Sequence, residues 1–149
     1  MAYRAHAEAR LKEAGFRITT PRRRVIDLLA EAVGPVSAYE MRDQLEARGE
    51  RIDIVSVYRI IGCLEQTGLV HRILSTGKVH RCVIEAHEPC GLPQPDHCHH
   101  SLICRTCGRI EEMHCPDIGS LLARAAATLG FALESHRLEL GGLCKRCAA

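Results

Sequence analysis

The chain has 149 residues and a formal net charge of +2, so it can bury one ordinary hydrophobic core, or two small cores if something else supports the second. Hydrophobic residues make up 46% of the sequence but aromatic residues only 3%, which predicts cores of Leu, Ile, Val and Ala in helices and short strands. The N-terminus lacks the apolar core of a signal peptide and no run of about 18 apolar residues occurs, so we expect a cytoplasmic protein without a membrane partner.

The first half of the chain predicts helices followed by a β-hairpin. Thr20 and Pro21 fit an N-cap followed by proline at the first helical position, and Ser37 with Glu40 fits a capping box. Four helices are predicted: over residues 5–13, from residue 20 onward, from 37 to about 47, and over 54–66. Two strands follow, over residues 69–74 and 79–84. This order is typical of a winged helix-turn-helix.

Basic residues outnumber acidic residues in this half of the chain, whereas the reverse holds after residue 84. The first half is therefore the candidate for binding a polyanion, although a solvated helix face would have a similar charge. Arg22 and Arg23 are candidates for contacting phosphates or positioning the first helices. Ser56, Tyr58 and Arg59 lie near the start of the fourth helix, where a recognition helix contacts DNA.

Residues 85–96 contain too many prolines and glycines for a regular element, which predicts a linker between domains 1–84 and 97–149. Beyond it, the pattern predicts strands over 101–104 and 109–113, a helix over 118–129 and a long strand over 131–140. The expected fold is α+β, with an N-terminal winged helix-turn-helix domain and a small C-terminal α/β domain.

Nine cysteines in a chain expected to stay reduced favour metal binding over disulfides. Cys104-x-x-Cys107 and Cys144-x-x-Cys147 form two knuckles, each of which directs both thiolates at one ion. The alternatives are two disulfides, an iron–sulfur cluster or a redox pair. Tetrahedral structural zinc is the favoured interpretation, and it would stabilise a second domain with few aromatic residues.

A second group of metal-ligand residue types surrounds the linker and indicates at least one further metal site. Its members are His71, His80, Cys82, His87, Cys90, His97, Cys98, His99, His100, Glu111, Glu112, His114 and Cys115. Any one of them taken alone is more often structural or solvated than a ligand. A site that mixes thiolate, imidazole and carboxylate prefers zinc, whereas a purely nitrogen and oxygen set suits ferrous iron or manganese.

Several motifs follow one another in an order typical of one protein family. They are Thr20-Pro21-Arg22, Val57-Tyr58-Arg59, the His- and Cys-rich linker, and Leu102-Ile103-Cys104-x-x-Cys107-Gly108. Over about residues 10–147, the chain therefore resembles the ferric uptake regulator family. The resemblance implies a winged helix that binds operator DNA, a C-terminal dimerisation domain, and metal binding that switches the homodimer into its DNA-binding form.

Within that family, the zinc branch is the most similar to this chain. The resemblance places the sensor ligands of that branch on His71, Cys82, His97 and Glu112. Iron-branch members have a histidine where Pro35 stands here, and a His-x-His before Leu-Ile-Cys, where this chain has His99-His100-Ser101. These differences argue against the iron branch. A third family site would fall on Cys98, His100, Gly119 and His136, but Gly119 supplies no carboxylate, so no third site is assigned.

These observations predict a homodimeric, zinc-responsive repressor of zinc uptake genes that carries two zinc ions per chain, one structural and one sensing. Its partner would be double-stranded operator DNA, with no small-molecule substrate. An iron or peroxide sensor of the same family is the first alternative, and Cys82 at a ligand position argues against it. A zinc-dependent hydrolase or deaminase would need motifs such as His-Glu-x-x-His, which this chain lacks. A zinc buffer that does not bind DNA would not need the basic winged helix.

Overall fold

The chain folds as two compact units, Met1–Val83 and Ile84–Ala149. The computed structural model describes residues 2–82, 100–113, 116–134 and 136–148. Within these ranges, no helix is both long enough and apolar enough to cross a membrane. The linker predicted at residues 85–96 lies outside the described residues.

The first unit consists of four helices followed by a two-stranded antiparallel hairpin. Its elements are α1 (Ala2–Glu13), α2 (Thr20–Glu31), α3 (Ala38–Ala47), α4 (Ile54–Gln66), β1 (Val70–Arg72) and β2 (Val79–Arg81). In the hairpin, which we call the wing, His71 lies opposite His80. The architecture is the predicted winged helix-turn-helix.

Two local predictions in this unit were wrong. The N-cap of α2 is Thr19, whose backbone is extended, and Thr20 is already helical. Proline is accommodated there because the first helical turn needs no donor from its nitrogen. The wing strands are shorter than predicted because the turn begins at Ile73, whose amide donates to the carbonyl of Lys78 and whose carbonyl accepts from the amide of Gly77. Gly77 has a φ of 69°, a conformation that favours glycine.

Side-chain caps fix the starts of α3 and α4. Ser37 Oγ accepts a 3.2 Å hydrogen bond from the Glu40 amide, and Glu40 Oε2 accepts a 2.7 Å bond from the Ser37 amide. This reciprocal pair confirms the predicted capping box. At the start of α4, Asp53 Oδ1 accepts a 2.9 Å bond from the Ser56 amide. Each cap satisfies a helix donor that would otherwise lack a partner.

The main hydrophobic core lies in the first unit, among the described residues. The apolar faces expected from helical periodicity are buried, and they supply Val25, Ile26, Leu28, Leu29, Met41, Leu45, Val57, Ile60, Ile61 and Leu64. Burial of this face fixes which side of α4 is left to solvent.

The wing is attached to the helices at both of its strands. Val36 and Val79 exchange two backbone hydrogen bonds of 2.8 and 2.9 Å. Lys78 Nζ lies 2.7 Å from Glu40 Oε1 at the start of α3. The guanidinium of Arg72 donates two hydrogen bonds of 2.9 Å to the carboxylate of Glu65 on α4. These contacts restrict movement of the wing relative to α3 and α4.

The second unit contains a three-stranded sheet and one helix. Its elements are β3 (His100–Cys104), β4 (Ile110–Met113), α5 (Pro116–Thr128) and β5 (Leu138–Gly142). The strand order is β4-β3-β5, with β4 antiparallel and β5 parallel to β3. The strand predicted over residues 131–140 was wrong in its first part. Its observed start, Leu138, lies opposite the first residue of β3, His100, so earlier residues have no strand partner within the described sheet.

Large apolar side chains of the second unit face solvent in the single chain. They are Leu102, Leu121, Leu129, Phe131, Leu140 and Leu143. Among the described residues of this unit, Cys104 is the only buried hydrophobic side chain. Burial of apolar side chains among the described residues therefore contributes little to the stability of this unit.

We predict that Glu40→Gln lowers the free energy of unfolding by less than about 1 kcal/mol at pH 7, since the lost ion pair with Lys78 is partly exposed. Lys78, followed by the amide and hydroxyl of Ser37, lowers the pKa of Glu40 from 4.5 to about 2. A lowered folded-state pKa stabilises the fold above the unfolded-state pKa, and this contribution is lost as the pH falls towards 2. Urea titrations of both proteins should therefore show a difference that is constant above about pH 5 and shrinks below it.

The matched control is Lys78→Met, which should cause a similar loss at pH 7. Combining it with Glu40→Gln should add little further loss. Additive losses from the two substitutions would contradict a shared ion pair.

Candidate metal centres and nucleic-acid interface

The two Cys-x-x-Cys knuckles of the second unit form one cluster. Cys104 ends β3, and Cys144 follows β5, the parallel neighbour of β3. The sulfur atoms of Cys104, Cys107, Cys144 and Cys147 all lie within 4.8 Å of one another, and those of Cys107 and Cys144 are 3.7 Å apart. This confirms that the sequence spacing brings the four thiols to one point.

Backbone hydrogen bonds shape each knuckle. The Gly108 amide donates to the Cys104 carbonyl at 2.9 Å, and the Cys147 amide donates to the Cys144 carbonyl at 2.8 Å. Gly108 has a φ of 70°, which allows the chain to turn back after Cys107. A third bond, from the Arg105 amide to the Gly142 carbonyl at 2.9 Å, joins the first knuckle to the end of β5.

The electrostatics of the cluster favour anionic sulfur at Cys104 and oppose it at Cys147. The backbone amide of Cys144, followed by that of Cys107, lowers the pKa of Cys104 to about 6. Hydrogen bonds with Cys144 and Cys107 raise the pKa of Cys147 to about 12. Four thiolates cannot approach one another this closely without a cation between them, so the donor set fits a tetrahedral zinc ion.

The first unit contributes two of the sensor ligands predicted from the resemblance. His71 lies in β1 and Cys82 directly follows β2, and a ring nitrogen of His71 lies within 4.8 Å of Cys82 Sγ. The Cys82 amide donates a 2.9 Å hydrogen bond to the Leu69 carbonyl, which holds Cys82 beside β1. The wing therefore presents an imidazole and a thiol within reach of one ion.

The other two predicted sensor ligands belong to the second half of the chain. Glu112 lies in β4, opposite Ser101 of β3. His97 lies outside the described residues, as does Cys98 of the unassigned third site. The other two side chains of that third site, His100 and His136, have ring centroids 5.1 Å apart.

The predicted DNA-contacting residues of α4 differ in exposure. Tyr58 is 45% exposed and Arg59 is also exposed, whereas the Ser56 hydroxyl donates a 2.5 Å hydrogen bond to Asp53 Oδ2. Ser56 is thus engaged in the cap of its own helix. Arg59 forms no ion pair within the described part of the chain, so its guanidinium is available to a ligand.

The two predicted arginines of α2 are engaged within the first unit. Arg22 donates to the Arg17 carbonyl, lies 3.5 Å from Cys63 Sγ and stacks over Phe16. Arg23 Nε donates a 3.0 Å hydrogen bond to Glu8 Oε1. These contacts position α2 against α1 and α4.

Two exposed apolar residues, one on α3 and one on α4, were not singled out from the sequence. Tyr39 on α3 is 55% exposed, and Val55 on α4 is 54% exposed. Helical periodicity identifies the buried face of each helix and offers no reason to single out an apolar residue off that face. The signal that could have been used is the position of Val55 in the first turn of α4, the helix predicted to contact DNA.

Comparison with known proteins places this architecture in one family. The model of the ferric uptake regulator family matches residues 13–141. The chain belongs to the ferric uptake regulator family. Its fold, with a winged helix-turn-helix and a small α/β unit bearing the cysteine cluster, is the one that the resemblance implied.

The relatives of this chain differ in the metal for which they are named. The chain is 32% identical to the ferric uptake regulation protein of Neisseria meningitidis, over 95% of this chain and 92% of that protein. It is 30% identical to the zinc uptake regulation protein of Escherichia coli, over 96% of this chain and 80% of that protein. A solved zinc uptake regulator complexed with zinc and DNA is 30% identical, with a TM-score of 0.83 over 97% of this chain and 92% of that one. Overall sequence identity does not determine which metal this chain binds, because its identities to the iron-named and the zinc-named relatives are similar.

We predict that Cys104→Ser removes the structural zinc and unfolds the second unit, because that unit has few buried apolar side chains to replace the metal. Zinc content and the NMR dispersion of the second unit should fall together. The matched control is Cys63→Ser on α4, which removes a thiol outside the cluster and should leave both unchanged. A Cys104→Ser protein with a native second unit and full zinc content would contradict the assignment.

Proposed function

We propose that this protein is a zinc-responsive transcriptional repressor that binds operator DNA as a homodimer when its sensor site holds zinc. Zinc uptake genes would be its targets. The proposal gives each chain two zinc ions, one held permanently by Cys104, Cys107, Cys144 and Cys147, and one exchangeable at the sensor site. The family consists of transcription regulators, so no catalytic role is included.

The observation that carries the choice of metal is the pairing of His71 with Cys82 on the wing. A thiolate beside an imidazole is a softer donor set than ferrous iron or manganese prefers in proteins. The proposed ligands are completed by His97 and Glu112. Two imidazoles, one carboxylate and one thiolate form a donor set that suits four-coordinate zinc.

The attachment of the wing supports a route from zinc to DNA. Arg72 follows His71 in β1 and binds Glu65 on α4, the helix that would read the operator. Zinc bound to the wing would therefore act on the same rigid body as the recognition helix. Zinc acts as a corepressor in this scheme because it binds more tightly to the arrangement that fits successive operator half-sites.

The exposed leucines and Phe131 of the second unit support the homodimer. A stable monomer rarely leaves so many large apolar side chains in solvent, whereas a dimer interface would bury them. The two-fold symmetry of a dimer would match a palindromic operator. We place the protein in the cytoplasm, where its thiols stay reduced and DNA is accessible.

We predict that sensor substitutions abolish the zinc response but leave a folded dimer that retains one zinc. Cys82→Ser should have the largest effect because it removes both the soft donor and a negative charge, and His71→Ala and His97→Ala should follow. Glu112→Ala should be milder, because water can replace a carboxylate ligand. Operator binding is measured against buffered free zinc, ferrous iron and manganese, with circular dichroism and sizing as checks on folding.

Cys63→Ser is again the matched control and should respond to zinc as the unsubstituted protein does. The unsubstituted protein should respond to zinc at a far lower free concentration than to the other metals. A Cys82→Ser protein with an unchanged zinc response would exclude this sensor site. An iron response that survives Cys82→Ser would favour an iron sensor of the same family.

We predict that Arg59→Ala weakens operator binding by about 1–3 kcal/mol, the range for loss of a base contact. The loss should be larger on the operator than on unrelated DNA, because base contacts provide sequence specificity. Arg124→Ala, which removes an exposed arginine from α5, is the matched control and should bind as the unsubstituted protein does. Equal operator affinity for Arg59→Ala and the unsubstituted protein would refute the assignment of α4 as the recognition helix.

A further inference from the structure

The exposed side of α4 has an apolar patch beside its arginine. Val55, Tyr58 and Arg59 are separated by three and four residues, so they lie on one side of the helix. All three are exposed, with Val55 at 54% and Tyr58 at 45%. The buried residues Val57, Ile60, Ile61 and Leu64 lie on the other side. Val55 therefore lies outside the buried core, on the side of α4 that is open to a ligand.

The patch continues onto α3. The ring of Tyr39 meets that of Tyr58 edge to face, with centroids 6.4 Å apart and an interplanar angle of 85°. Arg42 covers the other end of the patch, with its guanidinium carbon 5.5 Å from the centroid of the Tyr39 ring. Aromatic pairs of this geometry hold each other in place, so the apolar surface beside Val55 has a defined shape.

Charge beside the patch identifies a nucleic-acid duplex as its occupant. Arg51 and Arg59 are exposed near the start of α4, and neither forms an ion pair within the described part of the chain. The acidic residues near them in sequence are engaged elsewhere: Glu50 Oε1 lies 3.3 Å from Arg24 Nε, Glu65 binds Arg72, and Asp53 caps the helix through the amide and hydroxyl of Ser56. An apolar surface between free guanidinium groups fits the major groove, where the 5-methyl group of thymine is the apolar feature of the base edges.

We propose that Val55 is a specificity-determining residue that reads the 5-methyl group of a thymine in each operator half-site. Arg59 would read hydrogen-bond acceptors on neighbouring bases, whereas Val55 distinguishes thymine from cytosine and from uracil by an apolar contact. This inference rests on the proposed function, since it requires that α4 enter the major groove of operator DNA.

The test replaces one thymine at a time by deoxyuridine, which removes the methyl group and leaves every hydrogen-bonding group in place. The operator is first selected from a random duplex library by the full-length, zinc-loaded protein. Burying one methyl group contributes about 0.8 kcal/mol, so loss of the contact should weaken binding about fourfold. We expect this loss at one thymine or more in each half-site.

The decisive comparison combines substitutions of Val55 in the protein with replacement of thymine by uracil in the DNA. Val55→Ala should bind the thymine operator as weakly as the unsubstituted protein binds the uracil operator, and uracil should cause no further loss. Val55→Thr, which keeps the shape but replaces a methyl group by a hydroxyl, should be intermediate. Val33→Ala removes the same atoms from a fully exposed valine after α2, and this control should retain the full thymine preference.

Arg59→Ala separates this inference from the proposed function. It should weaken binding overall and still show the fourfold preference for thymine over uracil. If the zinc-loaded protein selects no operator, the proposed function fails and this inference fails with it. If the protein binds an operator tightly but Val55→Ala keeps the same sensitivity to uracil at every position, the proposed function stands and the role of Val55 is refuted.

Discussion

The bidentate ion pair between Arg72 and Glu65 joins the strand that carries His71 to the helix that carries Arg59. Both hydrogen bonds are 2.9 Å long, and an arginine fork on a carboxylate fixes orientation as well as distance. Lys78 and the Val36–Val79 backbone bonds attach the other strand of the wing. A ligand that acts on the wing therefore acts on the whole DNA-binding unit. Loss of the ion pair would weaken the mechanical connection between a wing site and α4.

The second unit depends on different physical chemistry. Its sheet exposes Leu102 and Leu140, and its helix exposes Leu121, so burial among its described residues contributes little to its stability. The thiolate cluster joins the ends of β3 and β5 where a core would otherwise be needed, and a partner chain would cover the apolar surface. In the proposed zinc-loaded homodimer, metal and dimerisation would share the stabilising role, which would explain how a small unit with few aromatic residues folds.

Much of the fold and the position of the cysteine cluster could be predicted from the sequence, because the relevant signals are local. Capping residues and apolar periodicity located α3 and α4, and the spacing of the cysteine pairs located the cluster. The predictions failed where contacts with residues distant in sequence determine the structure. The strand expected over residues 131–140 starts only at Leu138, because strand length depends on the partner β3. Val55 was missed because its exposure follows from how α4 packs.

Under the proposed function, zinc at the sensor site and operator DNA stabilise the same arrangement of the dimer. Linkage requires that each ligand raise the affinity for the other by the same factor. The most direct test is a competitive titration of the exchangeable zinc against a chelator of known affinity, with and without operator DNA. We expect the operator to tighten zinc binding by the factor by which zinc tightens operator binding, and DNA of unrelated sequence to have a smaller effect. An exchangeable zinc whose affinity is the same with and without operator would contradict it.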